Sequence, residues 1–235
     1  MDFFIKACRL IYDETIYDVV ITGGEPTLDP NYLISLIEGL RKIFVKEIAL
    51  STNGFLLNKN LIKQFKALRV DLIKLDIKAF SEDIHYWYTG KSNKNVLKAA
   101  KLLYDYGLNF YVRTIFMPGI VDVEEIEKIA KFLSSISKEI RYRVYEFDPK
   151  HARNPITRKP TFQEMFKAFE VAKKYLNYVE SIPASMVYDS NYEYVEVRDD
   201  TLLERFKIID EISKSSIKGW NMKTLKFSEV LNLAS

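Results

Sequence analysis

Apolar runs of strand length alternate with helical periods along most of this chain, and that alternation restricts its fold more than any other feature. Strands are read at Tyr17 to Thr22, Glu47 to Asn53, Leu72 to Ile77, Asn109 to Phe116 and Arg141 to Phe147. Between them lie helical faces. One carries Leu33, Leu36, Ile37, Leu40 and Phe44; a shorter one runs near Lys59 to Leu68; a third carries Val96, Leu97, Ala100, Leu103 and Tyr104 and is stopped by Gly107. Ile126, Ile129, Ala130 and Leu133 mark a further helix, with Asp122 and Glu125 resembling a capping box. Thr161 and Glu164 resemble another, ahead of a helix running to about Tyr175. Phe4, Cys8, Ile11 and Tyr12 place an opening helix before the first strand. Repeated β-α units with short connections argue for a parallel sheet with helices outside it. Beyond about Leu176 the pattern loosens: Asn191 to Val197 reads as a strand, and Thr201 and Glu204 cap a helix with Leu202, Phe206, Ile209 and Ile212 inward. The expected division is therefore residues 1–180 as the repeated β-α unit and 181–235 as a C-terminal α+β extension.

Polar groups recur just after these strands: Gly23, Gly24 and Glu25; Thr52 and Asn53; Asp76 to Lys78; Arg113; Glu146 and Asp148. In a parallel barrel all of them lie on the rim formed by the carboxyl ends of the strands, where ligands bind. A doubly wound open sheet accounts for the alternation equally well, but gathers its site at one crevice.

The segment ITGGEPTLDP, Ile21 to Pro30, is the most specific string. Two glycines at a strand end leave the backbone bare for close approach of a ligand, and Glu25 follows as an acceptor for an ammonium group. Asp29 is the better N-cap for the next helix, with Pro30 at its first position. Asp76 and Lys78 share a strand face. Arg113 sits in an apolar strand and needs a partner, either Asp76 or Glu146 as an internal pair or a ligand carboxylate. His85 is read as a surface-loop histidine and Cys8 as a small core residue. Pro149 to Pro160 is read as a long loop, and the basic stretch Arg141 to Lys159 as solvated.

Composition excludes several classes. Thirty-five basic residues against 32 acidic ones give a net charge of +3, too balanced to imply nucleic acid or an anionic membrane. One cysteine rules out an intramolecular disulfide framework and fits a reducing compartment. No apolar run reaches the ~18 residues of a membrane helix. The first residues carry early acids and no small-residue cleavage site, so no signal peptide is read and a cytoplasmic protein is expected.

Four segments in order carry a family resemblance: ITGGEPTLDP; STNGFLL, Ser51 to Leu57; DLIKLDIKAFSEDIHYWYTGKSNKNVL, Asp71 to Leu97; and VRTIFMPGIVD, Val112 to Asp122. Over roughly Ile16 to Phe147 the chain resembles the radical S-adenosylmethionine (SAM) superfamily, and within it the activating enzymes of glycyl-radical enzymes. The resemblance implies a partial, TIM-like (β/α) barrel. It implies a SAM site at Gly23, Gly24, Glu25, Pro26, Thr52, Asn53, Asp76, Ile77, Lys78, Arg113 and Asp148, with Glu25 on the methionine ammonium. Two positions depart from the pattern: Ser51 stands where aspartate is usual, and Asp148 where activators often carry a histidine beside SAM. The resemblance further implies a 4Fe–4S cluster, a glycyl-radical enzyme as protein substrate, and an electron donor such as flavodoxin or ferredoxin. Cys8 alone cannot hold that cluster. The cysteine loop and the first barrel strand are therefore expected upstream of Met1, leaving a sheet edge beside the strand that enters Gly23. Action on another peptide or a nucleoside, or a cluster-less SAM-binding remnant, are the other readings the same residues allow.

Overall fold

The computed structural model describes residues 18–42, 45–152 and 156–184, together with the backbone of 193–198 and 221–226. The opening helix with Cys8, Phe44, and the helix read from Thr201 to Ile212 lie outside the described residues.

Six strands form one sheet: β1 (Asp18–Ile21), β2 (Glu47–Thr52), β3 (Leu72–Asp76), β4 (Phe110–Phe116), β5 (Arg141–Glu146) and β6 (Val179–Ile182). They lie in the order β1-β2-β3-β4-β5-β6, and every neighbouring pair is parallel. This order decides between the two architectures left open above. A doubly wound sheet reverses its strand order at a switch point; here the order follows the chain without reversal, so right-handed crossovers place every helix on the same face. The helices are α1 (Pro30–Lys42), α2 (Lys59–Ala67), α3 (Glu82–Thr89), α4 (Lys94–Asp105), α5 (Val123–Ile136) and α6 (Phe162–Lys173). The result is an open, partial (β/α) barrel. A separate parallel pair, β7 (Glu193–Arg198) and β8 (Asn221–Lys226), follows it.

The two faces of the sheet differ in chemistry. Ile48, Leu50, Ile73, Leu75, Val112, Tyr142 and Val144 are buried beneath the helices. Each of the aliphatic side chains among them contributes roughly 1.5–3 kcal/mol by burial. The alternate positions face the concave side: Ser51, then Lys74 and Asp76, then Tyr111 and Arg113, then Arg141, Arg143 and Tyr145, then Glu180. Strands of a parallel sheet covered on both faces read as near-continuous apolar runs. The alternation in β3 to β5 is that of a sheet covered on one face only.

Local signals hold in most places. Asp29 caps α1, accepting from the Tyr32 N–H at 3.0 Å, and Pro30 is the first helical residue. The capping box of α6 is present, with Thr161 and Glu164 bonded reciprocally. Three elements were not read from the sequence, α3, β6 and β8. In EDIHYWYT the aromatic residues blur a helical period, and VESI is too short and polar to stand out. β6 adds a sixth strand and crosses position 180. On α5 the expected capping box is only half formed. Asp122 accepts from the Glu124 N–H, but Glu125 does not reach back to the cap. It reaches across to the segment after β3 instead.

Candidate functional site

The carboxyl ends of the strands all point the same way, so the residues that follow them converge on one rim. Glu25 occupies the turn after β1. Its Oε1 accepts from Thr27 Oγ1 (2.6 Å), Thr27 N (3.1 Å) and Thr52 Oγ1 (2.7 Å), and its Oε2 from Asn53 N (2.7 Å). Glu25 is thus the N-cap of a short 3₁₀ turn, Pro26–Leu28, a capping role additional to the one Asp29 plays for α1. It also ties the end of β1 to the end of β2. Thr27 was not singled out in the sequence; a threonine two residues beyond an acid is the ordinary signature of such a turn.

Gly23 has φ +127°, a conformation closed to other residues, and a Cβ built at Gly23 or Gly24 would meet nothing within 4 Å. The backbone here borders open space. Thr52 Oγ1 in turn accepts from the Gly54 N–H at 3.0 Å, and Asn53 Oδ1 accepts from the Phe55 N–H at 2.9 Å.

The ends of β3 and β4 form a second knot. Asp76 Oδ1 accepts from Arg113 Nε at 2.6 Å, and Asp76 Oδ2 from Lys78 Nζ at 3.0 Å. The register sets Asp76 directly opposite Arg113. Arg113 also donates to Ser51 Oγ at 2.5 Å, so the serine at this unusual position is a partner of the arginine. Of the partners considered for Arg113, the structure selects Asp76. Glu146 instead accepts from the Ala184 N–H (2.7 Å) and pairs with Lys159 (3.2 Å), fixing the chain beyond β6. Lys78 Nζ lies 6.0 Å from the centre of the Tyr88 ring.

Two adjoining cavities open on this rim and share Asp76 and Lys78. One, of about 230 Å³, is further lined by Arg113, Thr114, Ile115, Tyr145, Glu146 and Ala184. The other, of about 330 Å³, is bounded by Glu25 and Asn53, by the apolar Leu28, Phe55, Leu56 and Val96, and by His85. The structure therefore brings Glu25, Thr52, Asn53, Asp76, Lys78 and Arg113 together. Pro26 begins the 3₁₀ turn. The Ile77 side chain is buried in the core, and its N–H and C=O bond to Arg113 O (3.0 Å) and Thr114 Oγ1 (2.8 Å). Asp148 caps a 3₁₀ turn, Pro149–His151, through the Lys150 N–H, and lies outside the linings of both cavities.

His85 corrects the sequence reading. It is 3 % exposed, sits on α3, and lines the larger cavity with Nδ1 3.3 Å from Ala79 O. Burial lowers its pKa below the ordinary histidine value, against the opposing pull of the Ala79 carbonyl and Glu82. The imidazole is therefore held neutral, with Nδ1–H directed at the carbonyl and Nε2 left as an acceptor.

Glu125 was likewise missed as a site support. Its carboxylate accepts from Phe80 N and Ser81 N, both at 2.9 Å, from Ser81 Oγ, and from Lys128 Nζ at 2.8 Å. Burial pushes its pKa upward, but these four donors outweigh that and hold it below the usual carboxylate value. It clamps the segment that carries Lys78 into α3.

A parallel sheet with helices on one face and a polar ligand rim at its carboxyl ends defines a partial (β/α) barrel of the ligand-binding kind. The family profile described as the Radical SAM superfamily matches residues 4–133, and the chain belongs to that superfamily. It is 39 % identical over 168 residues to a putative glycyl-radical enzyme activating enzyme of Methanocaldococcus jannaschii, covering 68 % of this chain and 61 % of the relative. It is 29 % identical over 170 residues to the trans-4-hydroxy-L-proline dehydratase activating enzyme of Clostridioides difficile, covering 71 % of this chain and 56 % of that one. The chain thus spans little more than half the length of these relatives. A crystal structure of a domain of pyruvate-formate lyase-activating enzyme from Bacteroides vulgatus superposes with a TM-score of 0.60 at 20 % identity, covering 70 % of this chain and 98 % of that domain. Among the described residues no helix is long and apolar enough to cross a membrane. Nor does any group of three or more His, Cys, Asp or Glu there converge to hold a metal ion.

Proposed function

We propose that this chain binds SAM at the rim, as the SAM-holding barrel of a radical SAM enzyme that activates a glycyl-radical enzyme. One observation carries the reading. Glu25 is anchored through Oε1 by three donors, whereas Oε2 accepts one, from Asn53, and so keeps acceptor capacity where the carboxylate borders the larger cavity. An ammonium group fits that acceptor, and the bare backbone at Gly23 and Gly24 leaves room for it. Arg113 and Lys78, already aligned by Asp76, present cationic groups to a carboxylate on the same ligand. Neutral His85 offers Nε2 to a hydroxyl or amine, and Leu28, Phe55 and Leu56 supply the apolar wall that excludes water.

In such enzymes bound SAM, reduced by one electron, supplies a radical that removes a hydrogen atom; residues of this chain would bind and orient it. The residues present do not fit a 4Fe–4S cluster. The chain has one cysteine, Cys8, and a cluster needs several thiolates. A cluster-less chain that binds SAM without cleaving it is the second reading. The activating-enzyme relatives and the four motifs support a glycyl-radical enzyme as the protein substrate. The boundary read at 180 falls inside β6 (Val179–Ile182), so the barrel is taken to the end of that strand and the residues after it as an extension, with a flavodoxin or ferredoxin as electron donor to the complete enzyme.

Calorimetry with SAM tests the site. Glu25→Ala removes a charge-assisted hydrogen bond and is expected to weaken SAM about ten- to hundred-fold, a loss of ~1.5–3 kcal/mol. Unchanged affinity in a folded variant would reduce Glu25 to a turn-forming residue.

A further inference from the structure

From β3 to β6 the floor of the concave face carries more positive charge than the carboxylates of those strands balance. Within β3 to β6 the inward positions hold four cations, Lys74, Arg113, Arg141 and Arg143, and two acids, Asp76 and Glu180. Asp76 is taken by Arg113 and Lys78, and Glu180 lies 3.0 Å from Arg143 Nε. That Arg143 Nε–H is not aimed at the oxygen and has no hydrogen-bond acceptor. Arg143 leans back over β4, its guanidinium 4.3 Å from the centre of the Tyr111 ring. The register places Tyr111 directly beside Lys74. Lys74 has neither an acid nor a hydrogen-bond acceptor among the described residues. Burial, and then the charges of Arg113 and Arg143, lower its pKa. Barrel interiors are ordinarily filled by branched aliphatic side chains. A half-buried ammonium facing two guanidinium groups is an arrangement that an anion relieves.

We propose that Lys74, with the terminal nitrogens of Arg143, forms an oxyanion site for a carboxylate or phosphate group of a ligand other than SAM. The site lies two residues down β3 from Asp76, about 6.6 Å deeper than the rim at the usual rise per residue. A ligand held there by its acidic group would present the rest of itself upward to the rim cavities. This goes beyond the SAM reading and is tested without it. The acidic group belongs to a small molecule or to a side chain of an inserted peptide; inorganic phosphate and succinate stand for the two oxyanions.

The test compares the parent with Lys74→Met and Lys74→Arg. In the parent, phosphate or succinate raises Tm above the value in sodium chloride of equal ionic strength, and the better of the two names the group. Lys74→Met loses that increment and binds the anion at least about ten-fold more weakly by calorimetry, while Lys74→Arg keeps most of it. Without the anion, Lys74→Met melts no lower than the parent at low salt, because a repelled charge has gone. Three results would overturn the proposal: no anion-specific increment in the parent, a lower melting point for Lys74→Met without anion, or displacement of phosphate by SAM. The second would make Lys74 structural, and the third would give the floor to the carboxylate of SAM.

Discussion

Glu125→Ala is expected to destabilise the protein by about 3–5 kcal/mol, the usual cost of removing one partner from a buried, hydrogen-bonded pair. The carboxylate is 2 % exposed, and its loss strands two main-chain donors, Phe80 N and Ser81 N. Lys128 can turn to solvent, being 45 % exposed, so most of the cost falls on the loop. Urea unfolding at neutral pH measures it as a lower midpoint with an unchanged slope. The sign of the pH dependence follows from the depressed pKa of Glu125. Its stabilisation is present above the unfolded-state carboxylate value and is lost as pH falls through the folded value. Glu125→Gln should therefore flatten the acid limb of the stability profile; an unaltered limb would show that the carboxylate is not the group responsible. Because the clamped segment follows Lys78, SAM affinity should fall with stability although Glu125 lines neither rim cavity.

Gly54→Ala is the second large effect. Gly54 has φ +73°, and a Cβ there would overlap Leu75 Cδ1 and lie 3.5 Å from Ala99 Cβ. Leu75 is fully buried, so it cannot swing clear. Backbone strain of about 1–2 kcal/mol and overpacking of about 1–3 kcal/mol add to an expected loss of roughly 2–5 kcal/mol. The Gly54 N–H bonds Thr52 Oγ1, which donates to Glu25, so the damage should reach the rim as well. A thermal midpoint within 2 °C of the parent would contradict this argument, given the several degrees expected per kcal/mol.

The barrel was legible in the sequence because each of its first five strands is an apolar run closed by a distinct polar residue. Even its openness was written there. Lys74, Asp76 and Lys78 alternate with Ile73, Leu75 and Ile77, a period that a sheet buried on both faces would not carry. The short strand at Val179 and the helix at Glu82 escaped because four residues give no period and aromatic residues fit either state. At the site, Glu25, Asp76 and Arg113 were found as residues with a chemical need. Their particular partners, Thr27 and Ser51, were not, since hydroxyls are common and only the fold shows which ones point inward. His85 was misjudged for the related reason that its burial depends on α3, an element the sequence did not reveal. Glu125 was read as a local cap when the main-chain donors it serves lie 44 and 45 residues away.

The anchoring of Glu25 by donors from two separate stretches of chain has a consequence for how any cation would be met at this corner. The carboxylate cannot rotate without breaking bonds to Thr27, Thr52 and Asn53. Its orientation is therefore fixed during folding, and little reorganisation remains when a ligand arrives. Recognition there becomes a matter of address: a group that reaches the fixed oxygen finds a field already aligned, and one displaced by an ångström finds no side chain able to follow it.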